Sequence, residues 1–343
     1  MLTLIKSEGA VPIVGIYRGK RNKRAAATVY FTHQISEENQ NIAPAAGVLH
    51  LHKSSIKKEL HLNETDFKEV CRMIDANEEP EQSDPLRSAY WSVLEKFERY
   101  LKREMFIGDD KESRFEMNFP RDRETWPGTM TCIASSGGGK TRFVVDMILR
   151  YLKSVEPHNR RAILWLSPEL QIDKSLVKLR DNHRWDLWFH GIDISEQNLK
   201  KMGMDGASFY QKEILERIDS MGEDAIVVFD DFPDGARSLY PYLERQYNSM
   251  LRTARHRNMG VISLIHTYAH GKASTQALQS NKSVIFYPQS QQTRCIQFLR
   301  DYLSLQTHEA KDLVRRFASL DRWMCIQMHS PVCIYNSSYL VLL

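Results

Sequence analysis

Paired cysteines are absent from this chain of 343 residues. The five cysteines, Cys71, Cys132, Cys295, Cys325 and Cys333, form no CxxC pair. That excludes a disulfide scaffold and a zinc site built on paired thiolates, and it implies a reducing compartment. Long apolar runs are also missing, and none reaches the roughly 20 residues that a membrane helix requires. The first residues are interrupted by Lys6, Glu8 and Pro12, unlike a signal peptide, so the expectation is a soluble intracellular protein. Charge of one sign is scarce: 47 Lys and Arg face 43 Asp and Glu, a formal net charge of +4. Any contact with a phosphate backbone must therefore come from a local basic cluster. Internal repeats and low-complexity segments are absent.

What remains is ordinary globular composition, 42% hydrophobic and 26% charged, long enough for one large or two ordinary domains. Near the start, "AVPIVGIY" and "AAATVYF" flank "RGKRNKR", which reads as a hairpin with a basic tip. "EEPEQSD" is an acidic loop. "PLRSAYWSVLEKFERYLKREM" follows it as an amphipathic helix, with Tyr90, Val93, Leu94, Phe97 and Leu101 on one stripe. The polar segment "GDDKESRFEMNFPRDRETWPG" holds a domain boundary, drawn after residue 124. Residues 1–124 form a smaller α+β region of unassigned role, and residues 125–343 a second domain.

In that second domain short apolar runs alternate with helical patterns: "TMTCIA", "TRFVVDMILRYLK", "RAILWLS", "WDLWFH", "SFYQKEILERIDS", "AIVVFDD", "YPYLERQYNSMLRTARHRN", "GVISLIH" and "SVIFYP". Unbroken Val, Ile and Leu strands between helices predict an α/β fold, a mainly parallel sheet covered by helices on both faces.

"TCIASSGGGKTRFVV", Thr131 to Val145, sits where a strand turns into a helix. It matches the phosphate-binding motif G-x-x-x-x-G-K-[ST] except at its first glycine, where Ala134 stands. The motif works through backbone N–H groups that wrap a β-phosphate, a lysine that reaches the β and γ oxygens, and a hydroxyl that binds Mg²⁺. The candidate ATP-binding residues are Ser135, Ser136, Gly137, Gly138, Gly139, Lys140, Thr141 and Arg142. Alanine at the turn is tolerated if its φ stays negative; the wrong sign would cost about 1–2 kcal/mol.

Such a loop needs a carboxylate at the end of a buried strand. "AIVVFDDFPDG" supplies two: Asp230 to orient the metal with Thr141, and Asp231 to polarise the attacking water. Asp234, beside Pro233 and Gly235, reads as turn chemistry. His266 and Thr267 end the next strand at the same sheet edge, where either could sense the γ-phosphate. Arg252, Arg255 and Arg257 precede that strand, and one of them could serve as an arginine finger toward a neighbouring subunit.

The order of the phosphate loop, a strand ending in Asp-Asp, and "RHRN" leading into "VISLIH" resembles the genome-packaging ATPases of large double-stranded DNA viruses. They belong to the superfamily that includes the translocases FtsK and HerA. "NKSVIFYPQSQQTRCIQFLRDYLSLQTHEAKDLVRR" and "DRWMCIQMHSPVCIYNSSYLVLL" look like that family's last core strand, helix pair and closing hairpin. The resemblance covers about Thr129 to Leu343. It implies a RecA-like P-loop NTPase core, assembled as a homo-oligomeric ring, that uses ATP and Mg²⁺ to drive double-stranded DNA into a capsid. Capsid or portal-vertex proteins would be its partners, in the host cytoplasm or at an assembly site. Lys140 and Thr141 fall on the Walker A residues, and Asp230 and Asp231 on the Walker B acids. The family's sensor glutamine falls on His266 without a gap; a shift of one residue would bring Thr267 into register and put Tyr268 in its place. DNA would meet short basic loops, with "RGKRNKR" and the loop around Lys272 as candidates.

Three other readings stand beside this one. They are a P-loop phosphotransferase, a nucleotide-binding assembly protein without turnover, and a pump of single-stranded DNA built on the same core.

Overall fold

The computed structural model describes residues 2–3, 11–18, 27–31, 56–57, 60–76, 78–101, 104–106, 113–117, 128–222, 224–254, 256–266, 278, 280–329 and 331–343. By packing the chain divides into two compact units, Met1–Asn118 with Pro331–Leu343, and Phe119–Ser330.

The first unit holds an antiparallel sheet of β1 (Leu2–Thr3), β2 (Val11–Arg18), β3 (Ala27–Phe31) and β5 (Ser113–Met117), in the order β1-β3-β2-β5. The expected hairpin is the pair β2 and β3; its basic tip, residues 19–24, lies outside the described residues. Helices α1 (Glu64–Ala76) and α2 (Arg87–Leu101) bury Phe67, Val70, Tyr90 and Val93 against one another. The helical pattern read from 85 to 105 stops short, because Glu104–Phe106 forms strand β4 instead.

Among the described residues the second unit is built on seven strands: β6 (Thr129–Ile133), β7 (Ile163–Ser167), β8 (Phe189–Asp193), β9 (Ile226–Asp230), β10 (Gly260–Ile265), β11 (Ser283–Phe286) and β12 (Met324–Gln327). Their order is β8-β7-β9-β10-β6-β11-β12. All neighbours run parallel except β12, which is antiparallel to β11. Every residue of β6, β7 and β9 is buried, as unbroken apolar strands covered on both faces must be. This is the expected α/β P-loop core, with a mainly parallel sheet.

Its helices are α3 (Lys140–Ser154), α4 (Val177–Arg180), α5 (Glu196–Met202), α6 (Gly206–Phe209), α7 (Glu216–Met221), α8 (Tyr240–Thr253), α9 (Gln292–Leu303) and α10 (Thr307–Leu320). A π-helical stretch, Tyr210–Leu215, joins α6 to α7. Leu243, Met250, Phe209 and Ile218 from these helices pack on Leu164, Val227, Phe229 and Val261 of the sheet. "WDLWFH" is not the strand its aromatics suggest: residues 183–185 make a turn, and β8 begins only at Phe189. There Arg160 lies over the rings of Trp185 and Trp188.

A buried polar cluster ties β6 to β10. Thr131 and Ser263 are level across the two strands, and their hydroxyls meet at 2.7 Å. The Tyr247 hydroxyl of α8 adds a bond of 3.0 Å to Ser263, and the Asn281 amide donates to Thr131 at 2.9 Å. Buried hydroxyls bonded to one another in this way specify register, here between the strand that enters the glycine loop and its neighbour.

The first unit closes with β13 (Cys333–Tyr335) and β14 (Tyr339–Leu342), paired antiparallel, and β14 pairs with β4. These residues, assigned from sequence to the end of the second domain, thus group by packing with the N-terminal region. Among the described residues no helix is long and apolar enough to cross a membrane.

Candidate active site

Strand register assembles the site. Ile133 of β6 is level with Ile265 of β10, and Asp230 of β9 is level with Leu264. The next residue of each strand, Ala134, His266 and Asp231, therefore emerges at one sheet edge. Two backbone bonds continue the pairing past the strands: Ala134 N–H to the Ile265 carbonyl at 3.2 Å, and Asp231 N–H to the Leu264 carbonyl at 3.0 Å.

The loop that follows β6 takes positive φ at Gly137 (71°) and Gly139 (98°), where glycine is favoured. Ala134 is not among the residues with positive φ, so the missing first glycine brings no strain. Its methyl group is wholly buried, and a Cβ placed on Gly138 would come within 2.8 Å of it. The space that alanine fills is the space that Gly138 leaves.

Lys140 opens α3 and is only 4% exposed. Its ammonium reaches back across the loop to the Ala134 carbonyl at 3.3 Å. It also lies 3.0 Å from His266 Nδ1 and 3.6 Å from Asp231 Oδ2. An ammonium can only donate, so Nδ1 accepts and the imidazole proton sits on Nε2. That nitrogen is 3.0 Å from Asp231 Oδ2 and 3.7 Å from Asp234 Oδ2. Lysine, imidazole and carboxylate thus form one chain of charge-assisted hydrogen bonds.

Asp231 itself sits in the left-handed region at φ 43°, which an aspartate tolerates at modest cost. Burial raises its carboxyl above the usual range, and Lys140 and His266 oppose that shift. Asp230, 3% exposed, accepts from the Trp165 indole at 3.1 Å through Oδ2. Its Oδ1 is buried without a hydrogen-bond partner, as is Oδ1 of Asp231. Burial first, and then the charge of Asp231, pushes the Asp230 carboxyl up to about 7. A hard oxygen donor left unpaired beside a second carboxylate fits a divalent cation. Asp231, Asp234 and His266 also offer ligand atoms within 4.8 Å of one another.

The raised Asp230 has a measurable consequence. Between about 3.8, its ordinary value, and about 7 the folded form keeps a proton that the unfolded chain has released. Stability is therefore lost as pH rises through that window. Asp230→Asn keeps the acceptor for Trp165 and removes the titration. It is expected to be more stable than wild type at pH 8 by an increment on the order of a few kcal/mol, read as a higher thermal midpoint. Its thermal midpoint should also vary less between pH 5 and 8. An unchanged midpoint at pH 8 would show that no such penalty exists.

The remaining sequence candidates fall into place unevenly. Thr141 follows Lys140 in the first turn of α3, half-buried. Arg142 is exposed and points along its own helix to Asp146, at 3.8 Å. Ser135 and Ser136 line a cleft of about 660 Å³ with His266 and the turn Gln289–Arg294. Arg252, in the last turn of α8, and Arg257, just before β10, lie at the opposite edge of the parallel sheet from the loop. Thr267, Arg255 and Lys272 lie outside the described residues. Sequence reading missed Asp234 as a partner of His266, and Gln291, whose amide donates to the His266 carbonyl at 2.8 Å. It also missed Tyr287 and Arg322, which donate to the Gly139 and Gly138 carbonyls of the loop.

No protein-family model matches the chain, and no curated protein matches it. Several solved structures are similar to its fold. The genome packaging NTPase B204 from Sulfolobus turreted icosahedral virus 2, in complex with ATP-gammaS, covers 61% of this chain and 97% of its own, at 10% identity and a TM-score of 0.39. The cytoplasmic domain of the Thermomonospora curvata type VII secretion ATPase EccC covers 69% of this chain and 28% of its own, at 12% identity and a TM-score of 0.40. The pCW3 conjugation coupling protein TcpA, in a monomer form with ATPgS, covers 73% and 81%, at 12% identity and a TM-score of 0.36. Likenesses this remote bring no activity with them; what the site can do follows from its own geometry.

Proposed function

We propose that this chain is an ATP-hydrolysing motor that drives double-stranded DNA into a viral capsid. The hydrolytic part rests on one observation. A glycine loop's lysine lies 3.0 Å from an imidazole that is itself 3.0 Å from a carboxylate at the end of a buried strand. A phosphotransferase has little need of that second acid and imidazole. In this reading the backbone N–H groups from Ser135 to Gly139 and of the first turn of α3, Arg142 included, wrap the β-phosphate, aided by the helix dipole. The Gly138 N–H exchanges its present bond to the Ser135 carbonyl, 3.0 Å, for the phosphate. Lys140 exchanges its partners for the β and γ oxygens. Thr141 and Asp230 hold magnesium, whose charge offsets that of the phosphates. Asp231 orients the attacking water and accepts its proton. His266 loses its donor at Nδ1 when Lys140 turns away, which makes it the sensor of the γ-phosphate; Thr267 is the alternative for that role.

The DNA-packaging part rests on the resemblance in motif order. Arg252 and Arg257, at the far sheet edge, would reach only the loop of a neighbouring copy, as a finger in a homo-oligomeric ring does. Capsid or portal-vertex proteins are the further partners of this reading, and the host cytoplasm or an assembly site its location.

ATP turnover by the full chain is expected to rise on addition of linear double-stranded DNA of any sequence. Its DNA affinity should fall by about 0.9 logarithmic units per phosphate contact for each tenfold rise in salt. Stimulation by single strands alone would replace the cargo. Tight ATP binding without turnover under any DNA condition would replace the motor with an assembly switch.

A further inference from the structure

Two side chains that the hydrolysis chemistry does not use bond backbone carbonyls of the glycine loop. Tyr287, at the end of β11, donates its hydroxyl proton to the Gly139 carbonyl at 3.2 Å. That carbonyl also accepts from the Phe143 N–H in the first turn of α3, at 2.9 Å. Arg322, between α10 and β12, places Nη2 3.4 Å from the Gly138 carbonyl. A Cβ built on Gly139 would meet the same two groups, at 3.8 Å from Arg322 Nη2 and 3.9 Å from Tyr287 Cε1.

Both are held in place. Tyr287 is buried and begins a turn anchored at two points, where Gln289 donates to the Ala318 carbonyl at 3.0 Å and Gln291 to the His266 carbonyl. Arg322 is exposed, and its main chain is fixed by the bond from its backbone N–H to Asp321 Oδ1 at 2.6 Å. The next residue, Trp323, packs its ring on Phe143 of α3 with centroids 5.3 Å apart.

In a planar trans peptide, the C=O of one residue and the N–H of the next point in opposite directions. Holding the Gly138 and Gly139 carbonyls toward Arg322 and Tyr287 therefore turns the N–H groups of Gly139 and Lys140 away from those two side chains, as wrapping a phosphate at the start of α3 requires. With three glycines in succession the loop has little conformational preference of its own, so an external hold has something to select. We infer that Arg322 and Tyr287 are positioning residues that preset these N–H groups for the β-phosphate of a nucleoside di- or triphosphate. The inference rests on reading residues 134–141 as a phosphate loop.

The test is calorimetric titration of the full chain with ADP and with a non-hydrolysable ATP analogue, for wild type, Tyr287→Phe, Arg322→Gln and Arg322→Lys. Tyr287→Phe and Arg322→Gln are each expected to raise Kd about 3- to 10-fold for both nucleotides, the scale of one lost hydrogen bond. The nucleotide-free thermal midpoint should fall only slightly, as the loss of one hydrogen bond dictates. Arg322→Lys, which keeps a donor, should recover part of the loss in affinity. Unchanged Kd values in Tyr287→Phe and Arg322→Gln, or a midpoint that collapses beyond what one hydrogen bond accounts for, would overturn the positioning role alone. A wild type that binds neither nucleotide would overturn the phosphate-loop reading and this inference with it.

Discussion

Asp231→Asn is expected to bind ATP at close to wild-type affinity and to hydrolyse it about 10²- to 10⁴-fold more slowly, the range for loss of a general base. The exchange is nearly isosteric. Asparagine tolerates the left-handed backbone at φ 43° as well as aspartate does, so the turn into Phe232 should survive. Its side-chain oxygen can still accept from His266 Nε2, now 3.0 Å from the carboxylate, so the imidazole keeps its tautomer. What disappears is the charge and the proton-accepting capacity.

A second consequence separates this outcome from a structural accident. Because the charge of Asp231 helps to raise the Asp230 carboxyl, the substitution should let Asp230 ionise at lower pH. The variant's stability would then fall less steeply between pH 5 and 8. Single-turnover hydrolysis, nucleotide titration and thermal unfolding on one preparation decide the matter. Turnover within tenfold of wild type, with binding intact, removes Asp231 from the chemistry. Parallel loss of binding and stability makes it a structural residue.

How much of this was legible beforehand depends on how far along the chain each contact reaches. The glycine loop, the acid pair and the buried strands were legible because their signals are local: an unbroken apolar run, then the reactive residue one step past its end. His266 was legible for the same reason. Arg322 was not, since nothing in "DRWMC" reveals that its side chain meets a carbonyl 184 residues away. Tyr287 closes onto Gly139 across 148 residues, and Asp234 looked like turn chemistry because it is that too, its N–H bonding the Asp231 carbonyl at 2.9 Å. The aromatic run "WDLWFH" misled by content: its tryptophans serve a cationic cluster around Arg160 and Arg184, not a strand. Ala134 looked like a defect in the motif, and only the backbone conformation and the neighbouring Gly138 reveal it as a compatible pair.

Lys140→Ala is the more disruptive change, because one ammonium serves three groups. Lys140 closes the loop on the Ala134 carbonyl, donates to His266 Nδ1 and faces Asp231. Removing a preorganised cation aimed at developing phosphate charge is expected to slow hydrolysis by about 10²- to 10³-fold and, unlike Asp231→Asn, to weaken ATP binding as well. It also strips the acid pair of the charge that lowers both carboxyls, so both should titrate still higher. Carboxyls raised in the folded state are a penalty that grows as pH rises. The variant should accordingly lose further stability relative to wild type on going from pH 5 to pH 8, beyond the pH-independent cost of the void that alanine leaves. Lys140→Met, which keeps the buried aliphatic stem but not the charge, separates electrostatics from packing. Both variants should lose hydrolysis alike and share the steeper pH dependence, while only the alanine leaves a void. If Lys140→Met hydrolyses ATP normally, the loop is not working as a phosphate site. If its stability runs parallel to wild type across that pH range, the buried lysine is not what limits the rise of the two carboxyls.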